Sequence, residues 1–258
     1  MKNMKKIVSV TLVVAMAAMM FAGCGSSSKK TSDTKSSEDT LIMATNAAFP
    51  PYEYVEGKDY KGIDVEIAQA IADKLGMKLE IKDVEFGSII GGVQSGKFDM
   101  GMAGITVTKD RQKSVAFSDP YATAIQSVIV KEGSSITSVD SITKNTKIGV
   151  QQDTTGDIYA SDDYGDDAVV RYNKGADAVA ALVSGKVDCV IIDNEPAKAF
   201  VAANDGLQLL DSAYAEEEYA ICVAKDNDEL LGKINTALKS LKDDGTIDSI
   251  VSKYIVSK

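Results

Sequence analysis

The chain has 258 residues, of which 45% are hydrophobic, 26% are charged and 6% are aromatic, and it contains neither His nor Trp. This length suffices for one large domain or for two smaller lobes, each with its own core. A formal net charge of -10 disfavours nucleic acid and anionic lipid headgroups as partners, and it suits a soluble monomer. Without His, and with no C-x-x-C pair among Cys24, Cys189 and Cys222, the sequence suggests no metal site and no cofactor.

The N-terminus has the pattern that is typical of a targeting segment. Three lysines within the first six residues precede an uncharged run, 7–22, which ends in small residues before Cys24. This pattern predicts a secretory signal peptide over 1–23. The alternative, a transmembrane anchor, needs roughly 20 apolar residues and a basic flank, which this run lacks. The ending also resembles a bacterial lipobox, which implies acylation of Cys24, for example by palmitate, and an anchor on the outer face of the cell membrane; simple secretion is the alternative.

The segment that follows is polar and contains no apolar residue up to Thr40. Such a composition cannot bury a core, so we predict a flexible tether over 24–40. Beyond it, strands and helices alternate, which is typical of βαβ units with a parallel sheet. In chain order we predict a strand over 41–44, a helix over 64–75 that stops at Gly76, a strand over 78–84, a short helix over 89–93 closed by Gly96, and a buried strand over 98–105.

Two similar segments of the chain, each of which we call an echo, predict two lobes of similar construction. The segment Gly96-Lys97-Phe98-Asp99 leads into an apolar run, and Gly185-Lys186-Val187-Asp188 does the same 89 residues later. Chance similarity between common helix-to-strand turns is the alternative. Because ligands of open α/β sheets lie beyond the carboxyl ends of the strands, each echo places a strand end at a shared cleft.

The second lobe is predicted to contain a strand over 147–150, a helix over 175–184 and a strand that ends at Asp193. We expect the chain to cross between lobes near 118–121 and 217–219, which makes a hinge. Two helical patterns in the tail, 228–258, predict helices that pack on the first lobe. The predicted organisation is therefore 41–121 with 220–258 as lobe one and 122–219 as lobe two.

Candidate binding residues follow the first echo. Gly104 permits close approach of a ligand to the backbone, and Thr106 offers a hydroxyl and an N–H group. Arg111 carries a planar guanidinium, which grips a carboxylate through two charge-assisted bonds. The alternative for Arg111 is a surface ion pair with Asp110 or a nearby Glu.

The loop after the strand 147–150 is the second candidate. It opens a helix at Thr154 and Thr155, and free N–H groups at a helix start bind anions. The alternative is that one of these Thr residues only caps the helix, and both roles are compatible. Asp193 could hold an ammonium group, or it could cap the helix before Pro196. Phe49, Tyr52 and Phe86 are by themselves more typical of core or hinge packing, and Asn46 of a turn.

The order of several motifs resembles the family 3 solute-binding proteins, which serve ABC importers of polar amino acids. The resemblance runs from about Leu41 to the C-terminus. It rests on Thr45-Asn46-Ala47-Ala48-Phe49-Pro50-Pro51-Tyr52-Glu53-Tyr54, Lys61-Gly62-Ile63-Asp64, Gln94-Ser95-Gly96-Lys97-Phe98-Asp99, Ala103-Gly104-Ile105-Thr106, Arg111 and Phe117-Ser118-Asp119-Pro120-Tyr121. It implies an α/β, two-lobe periplasmic-binding-protein fold of type II, joined by two hinge strands.

The resemblance also implies roles for individual residues. The ligand α-carboxylate would bind Arg111 and the N–H groups of Thr106 and Thr155. The α-ammonium would bind Asp193, the carbonyl of Ala103 and Gly104. Phe49 and Phe86 would sandwich the side chain, whose tip would lie near Asn46 and Gln151.

Two departures from related sequences bear on the ligand and the loop. Family members that hold cationic side chains often carry an acid where Asn46 stands, so an uncharged polar side chain such as that of glutamine is favoured over a basic one. A similar loop carries Gly where Asp153 stands. Cys189 and Cys222 fall in different predicted lobes, so we expect free, buried thiols rather than a disulfide.

Three classes of function compete. The first is a receptor that delivers a free amino acid to an ABC permease and its ATPase. The second is a sensor that uses the same lobes. The third, an enzyme of the cyclohexadienyl dehydratase type, needs an acid or base in the cleft; with no His, only Glu53 and Glu195 join Asp193 near the predicted site loops. The sequence therefore favours a binding protein that is not an enzyme.

Overall fold

The computed structural model describes residues 39–255, and the predicted signal peptide, Cys24 and most of the predicted tether lie outside them. Seven helices occur in the described part of the chain. They are α1 Ile63–Leu75, α2 Gly87–Gln94, α3 Thr155–Tyr164, α4 Gly175–Val183, α5 Asn194–Ala203, α6 Asp228–Asp243 and α7 Thr246–Tyr254. The strands are β1 Thr40–Thr45, β2 Ala48–Phe49, β3 Glu53–Glu56, β4 Asp59–Lys61, β5 Lys78–Asp83, β6 Met100–Gly101, β7 Val115–Phe117, β8 Ala122–Lys131, β9 Ile148–Gln151, β10 Val169–Tyr172, β11 Cys189–Asp193, β12 Leu207–Leu209, β13 Ala215–Tyr219 and β14 Cys222–Ala224.

Two larger sheets organise these elements. One has the order β5-β1-β6-β14-β7, and the other has the order β10-β9-β11-β8-β12, with β13 also paired to β8. We call the first sheet with α1, α2, α6 and α7 lobe one, and the second sheet with α3, α4 and α5 lobe two. A small sheet, β2-β3-β4, adjoins lobe one. The chain passes to lobe two between β7 and β8 and returns between β13 and β14. The exact lobe boundaries stay a prediction.

Helix α1 shows how the sequence builds these lobes. Its apolar residues recur on one face, and Ile67 and Ile71 are completely buried. Gly76 ends the helix in the left-handed conformation, and its N–H bonds back to the last helical turn. Helices α6 and α7 pack against α1, as the prediction for the tail helices expected.

Two predictions of secondary structure are wrong. Both sheets are mixed rather than parallel, because the returning strand β14 runs antiparallel to β6, and β8 runs antiparallel to β11. The predicted strand over 98–105 shrinks to β6. Gly104 has a φ of 55°, which no strand accommodates, and its N–H turns toward Asp64 instead of a neighbouring strand.

The two cysteines of the described region are free and buried, as predicted. Cys189 lies in β11 and Cys222 in β14, which belong to different sheets. Burial raises the pKa of both thiols to about 12, so neither forms a reactive thiolate near neutral pH.

Among residues 39–255, no helix has the length and apolar character needed to span a bilayer.

Candidate ligand-binding site

A narrow pocket lies between the lobes. All eleven residues predicted for ligand binding line it, and Glu53 completes the wall. The eleven are Asn46, Phe49, Phe86, Ala103, Gly104, Thr106, Arg111, Gln151, Thr154, Thr155 and Asp193. Side chains from the two lobes touch across it, so the described conformation is closed. The geometry brings the predicted set together; the role of each member in binding is a separate matter.

Arg111 begins a short 3-10 turn on lobe one and is partly buried. Its Nη1 donates to the Thr106 carbonyl at 2.9 Å, and its Nη2 donates to the Asp153 carbonyl of lobe two at 3.1 Å. The guanidinium carbon lies 5.3 Å from the centre of the Phe86 ring, within range of a cation–π interaction. Burial lowers the pKa of this group, but an Arg side chain stays protonated.

The alternative of a surface ion pair for Arg111 does not hold in this structure. Asp110 pairs with Lys113 at 2.5 Å, and within residues 39–255 no carboxylate lies within 4.0 Å of the guanidinium. Two backbone carbonyls take up two of its five donors, and neither neutralises its charge. Arg111 therefore presents a positive charge and spare donors to the cavity.

The two threonines beside Arg111 come from opposite lobes. Thr106 Oγ1 and Thr155 Oγ1 lie 3.5 Å apart. Thr106 Oγ1 donates to Glu217 Oε2 at 3.1 Å, and Gln126 Nε2 donates to the same oxygen at 2.9 Å. Because the Thr106 hydroxyl already donates to Glu217, the backbone N–H of Thr106 is the better donor for a ligand.

Helix α3 begins at Thr155 on the lobe-two side of the cavity. Thr154 is its N-cap, and its Oγ1 accepts from the Asp157 N–H at 3.4 Å, so the capping alternative holds for this residue. The free N–H groups at the helix start, together with the helix dipole, favour an anion beside Arg111.

Asp193 ends β11 and is only 7% exposed. Burial first, and the nearby Glu217 second, raise the pKa of its carboxyl to about 7. The Tyr219 hydroxyl donates to Asp193 Oδ1. Asp193 also occupies the N-cap position of α5, but its side chain makes no capping bond. Its carboxyl is therefore not used for capping, and Oδ2 can accept from a ligand.

Two amides from opposite lobes also line the cavity. Gln151 Nε2 donates to Asn46 Oδ1 at 2.9 Å across the cleft, and Asn46 Nδ2 donates to the Val84 carbonyl at 2.8 Å. Phe49 and Phe86 add aromatic walls, of which Phe49 is the more buried. The amide pair suits a polar, uncharged group.

Gly104 lies at the lobe-one side of the cavity, where its N–H donates to Asp64 Oδ2 at 2.9 Å. A Cβ at this position would meet the Phe49 ring at 3.1 Å and the Tyr219 ring at 3.3 Å. Tyr121 Oη donates to the same Asp64 oxygen at 2.8 Å. Asp64 thus fixes the backbone that borders the site.

Glu53 is the wall residue that the binding-site prediction missed. It is 1% exposed, and its Oε2 and Asp64 Oδ1 have no partner among the described residues. Burial, and then the charge of Asp64, raises the pKa of Glu53 well above its usual range; burial raises that of Asp64 to about 6. The two carboxyls are therefore suited to share one proton. Glu53 sits in a quoted motif, but no sequence pattern marks it as buried.

Comparisons with known proteins agree with this architecture. Residues 41–257 match the model of the bacterial extracellular solute-binding proteins, family 3. The arginine-binding extracellular protein ArtP of Bacillus subtilis is 34% identical over 253 residues, which cover 96% of this chain and 97% of ArtP. The ABC transporter glutamine-binding protein GlnH of the same organism is 32% identical over 267 residues, with 98% of each chain covered.

A solved structure of an ancestral arginine-binding protein bound to glutamine has a TM-score of 0.81 to this chain. It is 40% identical, and the match covers 85% of this chain and 99% of that one. The same kind of ancestral protein was also solved with arginine, at a TM-score of 0.80. This chain belongs to family 3 of the bacterial extracellular solute-binding proteins, and its fold is the two-lobe periplasmic-binding fold of type II.

Proposed function

We propose that this protein is the substrate-binding lipoprotein of an ABC importer, which captures a free polar L-amino acid by closure of its lobes. One observation carries the proposal: Arg111, a guanidinium without an ion pair among residues 39–255, and Asp193, a buried carboxyl, line the same closed cavity from opposite lobes. These groups complement the two charged ends of a zwitterion. Relatives named for arginine, histidine and glutamine binding support an amino-acid ligand.

Capture follows from this division of contacts. The α-carboxylate would take the spare donors of Arg111 with the N–H groups of Thr106 and Thr155. The α-ammonium would take Asp193 with the Ala103 carbonyl and Gly104. Because the contacts come from both lobes, only the closed form binds fully, and the ligand shifts the population toward closure. The closed form is then the species that the permease, which works with its ATPase, would recognise.

The side-chain end favours an uncharged polar ligand, with glutamine first. Asn46 and Gln151 present amide groups there, and a glutamine amide can both donate to and accept from them. Asn46 and Gln151 offer no charge to a basic side chain. Glu53, which also lines the cavity, is held protonated because burial and the charge of Asp64 raise its pKa.

Calorimetry with the twenty amino acids tests this proposal. We expect glutamine to bind with micromolar or tighter affinity, about -8 kcal/mol or below, and arginine to bind at least about tenfold more weakly. Asn46→Asp should reverse this preference because it places a carboxylate at the side-chain end. The exposed Asn145→Asp is the matched control and should change nothing. If none of the twenty binds the unaltered protein, the proposal is wrong.

The lipid anchor on Cys24 is a separate part of the proposal, motivated by the lipobox-like ending of the apolar run. Labelled palmitate should enter the protein in bacterial cells, and Cys24→Ala should abolish the label and release the protein from the membrane fraction. Cys189→Ala, which changes a buried thiol, should leave the label intact. Equal labelling of the Cys24 variant would contradict the anchor.

A further inference from the structure

Asp153 has an unusual backbone conformation. Among residues 39–255 it is the only residue other than glycine with a positive φ, at 64°. Asp tolerates this left-handed region better than most residues, but a glycine adopts it at lower cost. Its N–H donates to Asp157 Oδ2 at 3.0 Å, and Arg171 Nε grips both Asp157 oxygens at 2.9 and 3.0 Å. Lobe two therefore holds the turn at Asp153 in place.

Both polar groups of Asp153 reach lobe one. The carbonyl accepts from Arg111 Nη2, as described above. The carboxylate lies against Gly87, the first residue of α2, so closely that a Cβ at Gly87 would overlap Asp153 Oδ2. Helix α2 has no acidic residue in its first turn and no side-chain cap from Phe86. The Asp153 carboxylate thus brings the negative charge that a helix N-terminus favours, and it does so from the other lobe.

We propose that Asp153 is a positioning residue for ligand capture: its side chain seats on Gly87 when the lobes close, and its carbonyl then holds Arg111 in the orientation that receives the ligand carboxylate. The inference rests on the proposed function for the identity of the ligand, but the seat itself is independent of it. Gly87 is the complementary half of the contact, because a side chain there would displace the Asp153 carboxylate from its seat.

The geometry explains why both contacts depend on closure. Arg111 and Gly87 belong to lobe one, and Asp153 belongs to lobe two, so opening the hinge breaks both contacts together. In the closed form the Thr106 carbonyl and the Asp153 carbonyl hold one N–H from each terminal nitrogen of the guanidinium. The other N–H groups of Arg111 then point in a restricted set of directions, which includes the cavity. The guanidinium therefore loses less orientational freedom when it binds a ligand.

Substitution of Gly87 is the direct test. Gly87→Ala should weaken binding of the best ligand from the amino-acid panel at least about tenfold. The ligand-free melting temperature should not fall, since alanine favours a helix more than glycine does. Gly91→Ala in the same helix is the matched control, because a Cβ added there would meet no atom within 4 Å apart from the helix's own backbone, and it should bind as the unaltered protein does.

A second substitution separates a specific seat from a general disturbance of α2. Asp153→Gly removes the overlapping carboxylate and suits the positive φ. The double variant Gly87→Ala with Asp153→Gly should therefore regain affinity to within about threefold of Asp153→Gly alone. Failure of this rescue, or unchanged affinity in Gly87→Ala, would overturn the proposal.

A distance measurement keeps the test independent of the ligand. Dyes on azido-phenylalanine at the exposed positions Ser95 and Ser184 report the separation of the lobes by single-molecule energy transfer. The unaltered protein should visit a closed-lobe population that Gly87→Ala lacks and the double variant recovers. If no amino acid binds but this pattern appears, the proposed function fails and the seat stands. If Gly87→Ala reaches the same closed population as the unaltered protein, the seat is wrong.

Discussion

Arg111→Ala should reduce the affinity for the amino-acid ligand by about 30- to 5,000-fold, equivalent to a loss of about 2–5 kcal/mol. The guanidinium is the cation that faces the cavity without a carboxylate partner among the described residues. Without it, the ligand α-carboxylate would enter the closed cavity with only neutral donors from Thr106 and Thr155. Placing an uncompensated carboxylate there costs far more than losing an ordinary hydrogen bond.

Calorimetry on purified protein measures this effect, and two variants control it. Lys113→Ala removes a neighbouring charge that is 75% exposed at its side chain, and it should leave affinity within about twofold. Arg111→Lys keeps the charge but loses the planar fork, so it should recover only part of the affinity. The ligand-free melting temperatures should show that all variants fold. Near-normal affinity in Arg111→Ala would mean that the carboxylate binds elsewhere.

Ligand affinity should rise with pH up to about pH 7 and then level off, and Asp193→Asn should remove most of this dependence. Burial and Glu217 raise the pKa of Asp193 to about 7, so below that pH its carboxyl is protonated in the ligand-free closed form. An ammonium group favours the carboxylate, so binding then releases a proton. Affinity should therefore fall by up to about tenfold per pH unit below pH 7.

The stability of the ligand-free protein should change with pH in the opposite direction to the ligand affinity. The unfolded chain ionises Asp193 near its usual pKa of 3.8, whereas the folded protein keeps the proton to about pH 7. The folded state thus binds more protons between these values, and ligand-free stability should decrease as pH rises through this range. Glu53 and Asp64 titrate nearby, so the difference between Asp193→Asn and the unaltered protein is the quantity to follow.

Calorimetry at pH 5, 6, 7 and 8, in two buffers of different ionisation enthalpy, measures both affinity and proton release. At pH 8, Asp193→Asn should bind about 100-fold more weakly, because an amide offers the ammonium a dipole in place of a charge. At pH 5 the two proteins should differ much less. An unaltered protein with pH-independent affinity over this range would contradict the raised pKa of Asp193, and equal affinity of Asp193→Asn and the unaltered protein at pH 8 would show that Asp193 does not contact the ammonium.

Local patterns in the sequence predicted the helices and the strands β1, β5, β9 and β11, whereas β8, the longest strand, has no counterpart among the predictions. The apolar spacing of α1 and its stop at Gly76 predict that helix to within one residue, because periodicity and a left-handed terminal glycine are properties of the segment itself. The echo around Gly96 and Gly185 predicts two helix-to-strand turns, and both glycines adopt a φ of 72°. The strand predicted over 98–105 failed because the turn at Gly104 depends on Asp64, which is distant in sequence.

The candidate site, like the fold, could be predicted from the sequence only in part. The sequence by itself marked Arg111, Asp193 and the threonines as candidates for binding a zwitterion, because they follow predicted strand ends and because the family resemblance implies such roles. Only the tertiary structure decided that Glu53 is buried beside Asp64, that Glu217 occupies the Thr106 hydroxyl, and that Asp153 meets Gly87 across the cleft. Burial, and therefore the pKa of an acid, depends on neighbours supplied by remote segments when two lobes come together, and no local pattern records those neighbours.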